Sequence, residues 1–193
     1  EFHLSTTFEE GQFHMINEIA NLFTTWGTQK YDECVSQLEH AVQCAVLAQE
    51  AGANDELVIA ALLHDVGHLL ALESKAGNVN VSVNDKHEST AVKYLAKGFG
   101  PRVTAPIALH VEAKRYLCAV EADYFSTLSA GSVRSLEIQG GRMNEDEVKR
   151  FESLPGFADA VSLRRWDEGA KLLNHRSPEF STFVPIMERI SLA

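Results

Sequence analysis

The chain of 193 residues carries 17 Lys and Arg against 27 Asp and Glu, a formal charge of −10 with His neutral. That excess disfavours nucleic acid and anionic membranes as main partners, because polyanions are held chiefly by neutralising cations. Its 45% hydrophobic and 23% charged residues are those of a folded globular protein, not a disordered one.

Residues 1–14 read as a vector-derived tail ahead of Met15, and residues 15–193 as a single domain. Helical spacing begins with Ile16, Ile19, Ala20, Phe23 and Trp26 and stops near Gly27. Leu38, Val42, Ala45 and Val46 mark a second helix closing near Gly52. Asn54 caps a third, whose Leu57, Ala60, Ala61 and Leu62 leave little polar face and predict burial on all sides. The apolar run Leu57–Leu72 is interrupted by His64, Asp65, Gly67 and His68. It falls short of the roughly 18–20 residues of a membrane span.

A polar loop is expected over Glu73–Asp85, with a hint of strand alternation at Val79–Val83. Helix resumes at His87–Leu95. Pro101 opens another helix, lined by Val103, Ile107 and Val111 and ended by His110, and a short helix is expected around Tyr116–Glu121. Ser126–Gly141 is Ser/Gly-rich. Leu128–Gly141 within it reads as an ordinary surface loop, with a lid as the alternative. Asn144 with Glu147 makes a capping box, and helices over Phe157–Leu173 and Phe180–Ile190 complete an all-α domain. Cys34, Cys44 and Cys118 include no CxxC pair, so neither a disulfide framework nor a zinc ribbon is expected, and a reducing cytoplasm is the expected home.

The chemistry concentrates at His64-Asp65, directly after Ala60-Ala61-Leu62-Leu63. A carboxylate beside a buried apolar helix is costly unless a cation compensates it. Imidazole and carboxylate suit iron, manganese or zinc. Adjacent helical residues point about 100° apart, so the pair is expected to reach two ions, with the carboxylate bridging. His40, His87, His110 and Asp167 lie on other helices and complete a two-metal set that a bundle can gather. A His-Asp pair alone is a weak signal, and His175 reads as surface.

The ordered set is stronger. His40, His64-Asp65 and Asp167 resemble the HD-domain superfamily, and His87 and His110 its two-metal subset. Gln37-Leu38-Glu39-His40-Ala41-Val42-Gln43 resembles the HD-type mixed-valent di-iron oxygenases, which include myo-inositol oxygenase and the oxygenase that cleaves 2-amino-1-hydroxyethylphosphonate. Leu62–His68, His110–Leu117 and Leu163–Asp167 are similar to the phosphonate-cleaving branch. The resemblance implies an HD-domain helical bundle holding an Fe(II)/Fe(III) pair, with O2 as co-substrate and a small phosphonate as substrate. One iron would take His40, His64, Asp65 and Asp167; the other would take His87, His110 and the bridging Asp65. The phosphonate would meet His68, Lys114 and Arg164. Tyr31, occupying a metal position before substrate arrives, and Glu33, toward the substrate amine, would be the catalytic pair.

For Lys114 and Arg115 a solvated helix end is the competing reading. Arg164, three before Asp167, shares its face, whereas Arg165 should point away. Gln43 either orients a ligand or is a plain core-edge amide. The implied reaction is oxidative C–P cleavage of (R)-2-amino-1-hydroxyethylphosphonate to glycine and phosphate. Its alternatives are the same reaction on 1-hydroxy-2-(trimethylammonio)ethylphosphonate giving glycine betaine, metal-dependent phosphate-ester hydrolysis, and a metal-stabilised module without turnover. The oligomeric state is left open.

Overall fold

The computed structural model describes residues 5–30, 34–78 and 86–192. Every regular element among them is helical. The order is α1 (Ser5–Trp26), α2 (Gln37–Glu50), α3 (Asp55–Leu63), α4 (Val66–Ser74), α5 (His87–Leu95), α6 (Pro101–Val120), a 3₁₀ turn (Tyr124–Thr127), α7 (Ala130–Ile138), α8 (Glu145–Glu152), α9 (Phe157–Gly169), a second 3₁₀ turn (Phe180–Phe183) and α10 (Val184–Ile190).

The boundary expected between His14 and Met15 falls inside α1. From Met15 onward this helix buries Ile16, Ile19, Leu22 and Phe23 along one face. α2 opens on a capping box: the Ser36 hydroxyl accepts from the Glu39 N–H, and the Glu39 carboxylate accepts from the Ser36 N–H. Asn54 caps α3 through the Leu57 N–H, and Asn144 with Glu147 caps α8.

α3 is the central element. Every residue from Leu57 to Leu63 is buried, as its uniform apolarity predicts, and it packs against α2, α6, α9 and α10. α4 and α5 pair with each other, α5 also rests on α6, and α6 lies along α9. Asp55–Ser74 is, on length and composition, apolar enough to cross a membrane, contrary to the shorter run expected. It is mostly buried inside this bundle, with its helix broken between Leu63 and Val66, and is a core element.

The structure departs from the sequence-based elements in four places. α6 is one 20-residue helix, so His110 lies within it and the short helix expected around Tyr116–Glu121 is its C-terminal end. Burial of Ala113, Lys114, Leu117 and Cys118 carries the helix past His110. The stretch read as a surface loop contains α7, capped by Ser129 and anchored by buried Ser132 and Leu136. α9 stops at Gly169, not Leu173, and the chain continues irregular through Leu172 into a turn at Leu173 and Asn174. α4 runs to Ser74, into the expected loop; the rest of that loop's centre, with Val79–Val83, lies outside the described residues.

Candidate metal centre and anion pocket

The α3–α4 break creates the centre. His64 closes α3, and Asp65, with φ −99 and ψ 8, is non-helical. The 100° separation of helical neighbours therefore does not apply here. His64 and Asp65 turn into one cluster, with His64 Nε2 3.4 Å from Asp65 Oδ2. No Gly or Pro marks this break; the charged pair is drawn to partners that converge from four other helices.

Those partners divide between the two carboxylate oxygens. Asp65 Oδ2 lies 3.7 Å from His40 Nε2, and Asp167 Oδ1 lies 3.3 Å from His40 Nε2 and 3.9 Å from His64 Nε2. Asp65 Oδ1 lies 3.4 Å from His87 Nε2 and 3.7 Å from His110 Nε2, and these two nitrogens are 3.2 Å apart. Donor atoms about 2.1 Å from one ion, at right to tetrahedral angles, lie about 3.0–3.4 Å apart. Both groups are thus close to the size of a metal shell, and Asp65 offers one oxygen to each.

The ring orientations fit that use. The His40, His64 and His110 Nδ1–H groups donate to the carbonyls of Ala170, Ala61 and Ile107 at 2.9, 2.9 and 2.7 Å. Each bond leaves Nε2 as the lone-pair nitrogen facing the cluster. His64 is fully buried, and its Nε2 makes no hydrogen bond among the described residues. Such an atom is costly unless something coordinates it. Burial, then the neighbouring His87 and His64, push His110 down to about 3, so its imidazole stays neutral. Burial opposes charge on His64 as well, but the Asp65 carboxylate raises it to about 9. A bound cation would take that proton's place. Burial would raise Asp65 and Asp167; His64 for the first and Arg164 for the second outweigh it and hold both carboxyls well below the usual range.

Supporting groups hold this arrangement. Gln43 makes two hydrogen bonds to the backbone of Leu172, each 3.0 Å, which fix the segment whose Ala170 carbonyl orients His40. Gly67 sits where α4 meets α5, and a Cβ there would lie 2.0 Å from the His87 carbonyl oxygen. Gly67→Ala must therefore displace His87. Metal content by plasma mass spectrometry is expected to fall by roughly half with helicity retained, because only one donor group includes His87; full loading would refute this.

The cationic side chains expected to meet the phosphonate cluster beside this centre. Lys114 is buried rather than solvated, and its ammonium donates to Ser135 Oγ at 2.6 Å. Arg164 is 4% exposed and donates to Asp167, Glu168, Ser132 Oγ (3.1 Å) and the Tyr124 hydroxyl (3.0 Å). Arg165 points outward to Glu121. His68 stacks on His87 at 4.0 Å, with its Nε2 3.9 Å from Asp65 Oδ1. Tyr31 and Glu33 lie outside the described residues.

Sequence reasoning missed several members. Cys44 Sγ is 3.8 Å from His40 Nε2 and groups with His40 and His64; the i, i+4 spacing on α2 was its signal. Ser129, Ser132, Glu168 and Lys171 surround Arg164. The 164/168/171 spacing, helical in sequence though α9 ends at Gly169, pointed to the charged members, but nothing in the sequence pointed to the serines.

Residues 38–128 match the HD domain family. A hydroxymethylphosphonate dioxygenase of Gimesia maris is 46% identical over 168 residues, covering 87% of this chain and 84% of the relative. The chain belongs to the HD-domain phosphonate oxygenases. A [1-hydroxy-2-(trimethylamino)ethyl]phosphonate dioxygenase (glycine-betaine-forming) of Leisingera caerulea is 33% identical over 178 residues, covering 92% of this HD-domain oxygenase and 90% of the relative. An uncharacterized protein, L432, of Acanthamoeba polyphaga mimivirus is 37% identical over 164 residues, covering 82% and 74%. This member of the family is an enzyme, an oxygenase, and its groups His40/Cys44/His64 and Asp65/His87/His110 could each hold a metal ion.

Proposed function

We propose that the enzyme cleaves the C–P bond of a small 1-hydroxyphosphonate with O2, giving a carboxylate and inorganic phosphate. The observation that carries this reading is the wall shared by the two halves of the site. Arg164 donates to Asp167, whose other oxygen lies 3.3 Å from His40 Nε2. A phosphonate held by Lys114 and Arg164 is thereby next to the metal donors. Buried cations suit a dianion, and the guanidinium fork suits its paired oxygens.

In this reading His40, His64, Asp65 and Asp167 would hold one iron, and His87, His110 and Asp65 the other. An Fe(II)/Fe(III) pair bound there would supply Lewis acidity and activation of O2. The protein supplies position. Lys114, Arg164 and His68 fix the phosphonate so that the C1 hydroxyl and C1–H face the metals. The buried Leu57–Leu63 stretch of α3 shields the inner side of the centre from water. Tyr31 and Glu33 retain the roles the family resemblance implies, Tyr31 at a metal position before substrate arrives and Glu33 toward the amine of a substrate that carries one.

Hydroxymethylphosphonate, which would yield formate and phosphate, leads on the 46% relative. (R)-2-amino-1-hydroxyethylphosphonate, yielding glycine and phosphate, is favoured by Glu33; the trimethylammonium analogue is the third member. The unpaired cysteines, Cys34 exposed with Cys44 and Cys118 buried, support a cytoplasmic setting. The test is phosphate release from iron-loaded enzyme with each phosphonate, with and without O2. Phosphate with formate or glycine only under O2 is expected; phosphate released without O2 would overturn the proposal in favour of hydrolysis.

Lys114 makes the pocket pH-dependent. Burial, then repulsion from Arg164, lowers its ammonium to about 7. The group is charged below that value and neutral above it, so anion binding weakens as pH rises. Sulfate does not titrate here and isolates the effect. Its affinity by calorimetry is expected to fall several-fold between about pH 6 and pH 8.5, and Lys114→Met should abolish that slope. A persisting slope would assign the titration elsewhere.

A further inference from the structure

The anion pocket owes one wall to α7, a helix that contributes little apolar packing. Its buried residues are Gly131, Ser132 and Leu136, and only Leu136 is large and apolar. Polar contacts hold the serine-bearing side. Ser129, Ser132 and Ser135 recur every three residues and so share one face. That face meets Lys114 on α6, Arg164 on α9 and Lys171 just beyond α9.

At the middle of these contacts is the carboxylate of Glu168. One oxygen accepts from the Ser129 backbone N–H at 2.6 Å, at the α7 N-cap. The other accepts from the Ser132 hydroxyl at 2.8 Å, from Lys171 Nζ at 3.3 Å and from Arg164 Nη2. Ser132 Oγ in turn accepts from Arg164 at 3.1 Å and Lys171 at 3.0 Å, so its hydrogen-bonding capacity is filled. Glu168 thus binds the first turn of α7 to the two cations that flank it, Arg164 one turn before it on α9 and Lys171 just beyond the helix.

Charge supports the same role. Lys114, Arg164 and Lys171 face Glu168, while Asp167 also faces the metal donors. With Glu168 and Asp167 both counted, the three cations leave one net positive charge, the sign an anion requires. Glu168 takes up the surplus without reaching the metal cluster.

We propose that Glu168 is a positioning residue. It latches α7 onto α9 so that Ser132 and Ser135 stay on the pocket wall and the Arg164 fork stays aimed at the bound anion. The inference rests on the anion-pocket reading above, and Glu168 acts through Arg164 and α7 rather than on the reacting atoms.

The test combines hydrogen exchange with kinetics on the iron-loaded enzyme. In Glu168→Gln the amide presents an N–H to Arg164 and Lys171 in place of an acceptor. Amides of residues 132–138 are expected to exchange at least about 10-fold faster, with α2 and α8 unchanged, because only α7 is released. Inorganic phosphate affinity should fall, and KM for the phosphonate rise, by about 10-fold with a smaller change in kcat. Saturating phosphate should restore part of the α7 protection. Lys171→Met, which leaves the bonds from Glu168 to Ser129 and Ser132, should shift the same readouts in the same direction by less, and serves if Glu168→Gln does not fold. Unchanged α7 exchange in the folded variants, or loosening of α2 and α8 to the same extent, would overturn the latch. Exchange needs no turnover: accelerated α7 exchange in a protein that cleaves no phosphonate would uphold the latch while refuting the reaction.

Discussion

Asp65→Ala is expected to empty both halves of the metal centre at once. Its two oxygens face separate donor groups, 3.4 Å from His64 Nε2 on one side and 3.4 Å from His87 Nε2 on the other. The variant leaves the imidazoles on each side facing one another without the shared anion. Losing a mere supporting group at a metal site costs about 10- to 100-fold in metal affinity or activity; losing the bridge should cost more than about 100-fold in turnover. Metal analysis and circular dichroism separate the outcomes: native helicity with little bound metal is expected. A variant that keeps a full complement would mean that Asp65 does not bridge. His87→Ala provides the contrast, since it should empty one half only.

Arg164→Met is expected to be the most destabilising single change in the pocket and to abolish anion binding. Arg164 is buried, with Asp167 and Glu168 beside it on the same helix. Burial disfavours its charge, but Asp167, Tyr124 and Glu168 raise its proton affinity, so the guanidinium is always charged. Removing it leaves two carboxylates facing each other in a site with little water. Breaking one buried pair in this way costs about 3–5 kcal/mol. At this chain length that corresponds to a fall in melting temperature of about 10 °C. Apo protein should show the full effect, whereas metal loading should offset part of it by engaging Asp167. An apo variant melting at the wild-type temperature would mean that the carboxylates find other partners. Arg164→Lys keeps the charge but not the fork, and should recover stability better than sulfate binding.

These two residues also show how far local sequence reaches. Asp65 was legible because an ionisable pair ending the apolar run Ala60–Leu63 has no cheap explanation except a cation. Arg164 was legible because it stands one helical turn from Asp167 and Arg165 does not. Asn54 and the Asn144/Glu147 box were likewise readable, since capping depends on a few consecutive residues. The ligand set was assembled from family resemblance, and helical periodicity alone could not have joined His40 to Asp167 across the chain.

Contacts at long separation decided the rest. The break at His64-Asp65 carries no Gly or Pro; four side chains from four other helices meet there. For Lys114 the competing reading of a solvated helix end fell only once its burial and its bond to Ser135 of α7 were seen. The Ser/Gly-rich stretch looked like a loop because Ser and Gly favour turns locally, yet Glu168 and Lys171 hold its serines as a helical wall. The sequence by itself determined which faces are apolar, where helices are capped and that a buried His/Asp pair needs a cation. Only the tertiary structure decided which helices lend their polar groups to a common point, because hydrogen bonds and ion pairs act over a few ångströms of space, whatever the separation along the chain.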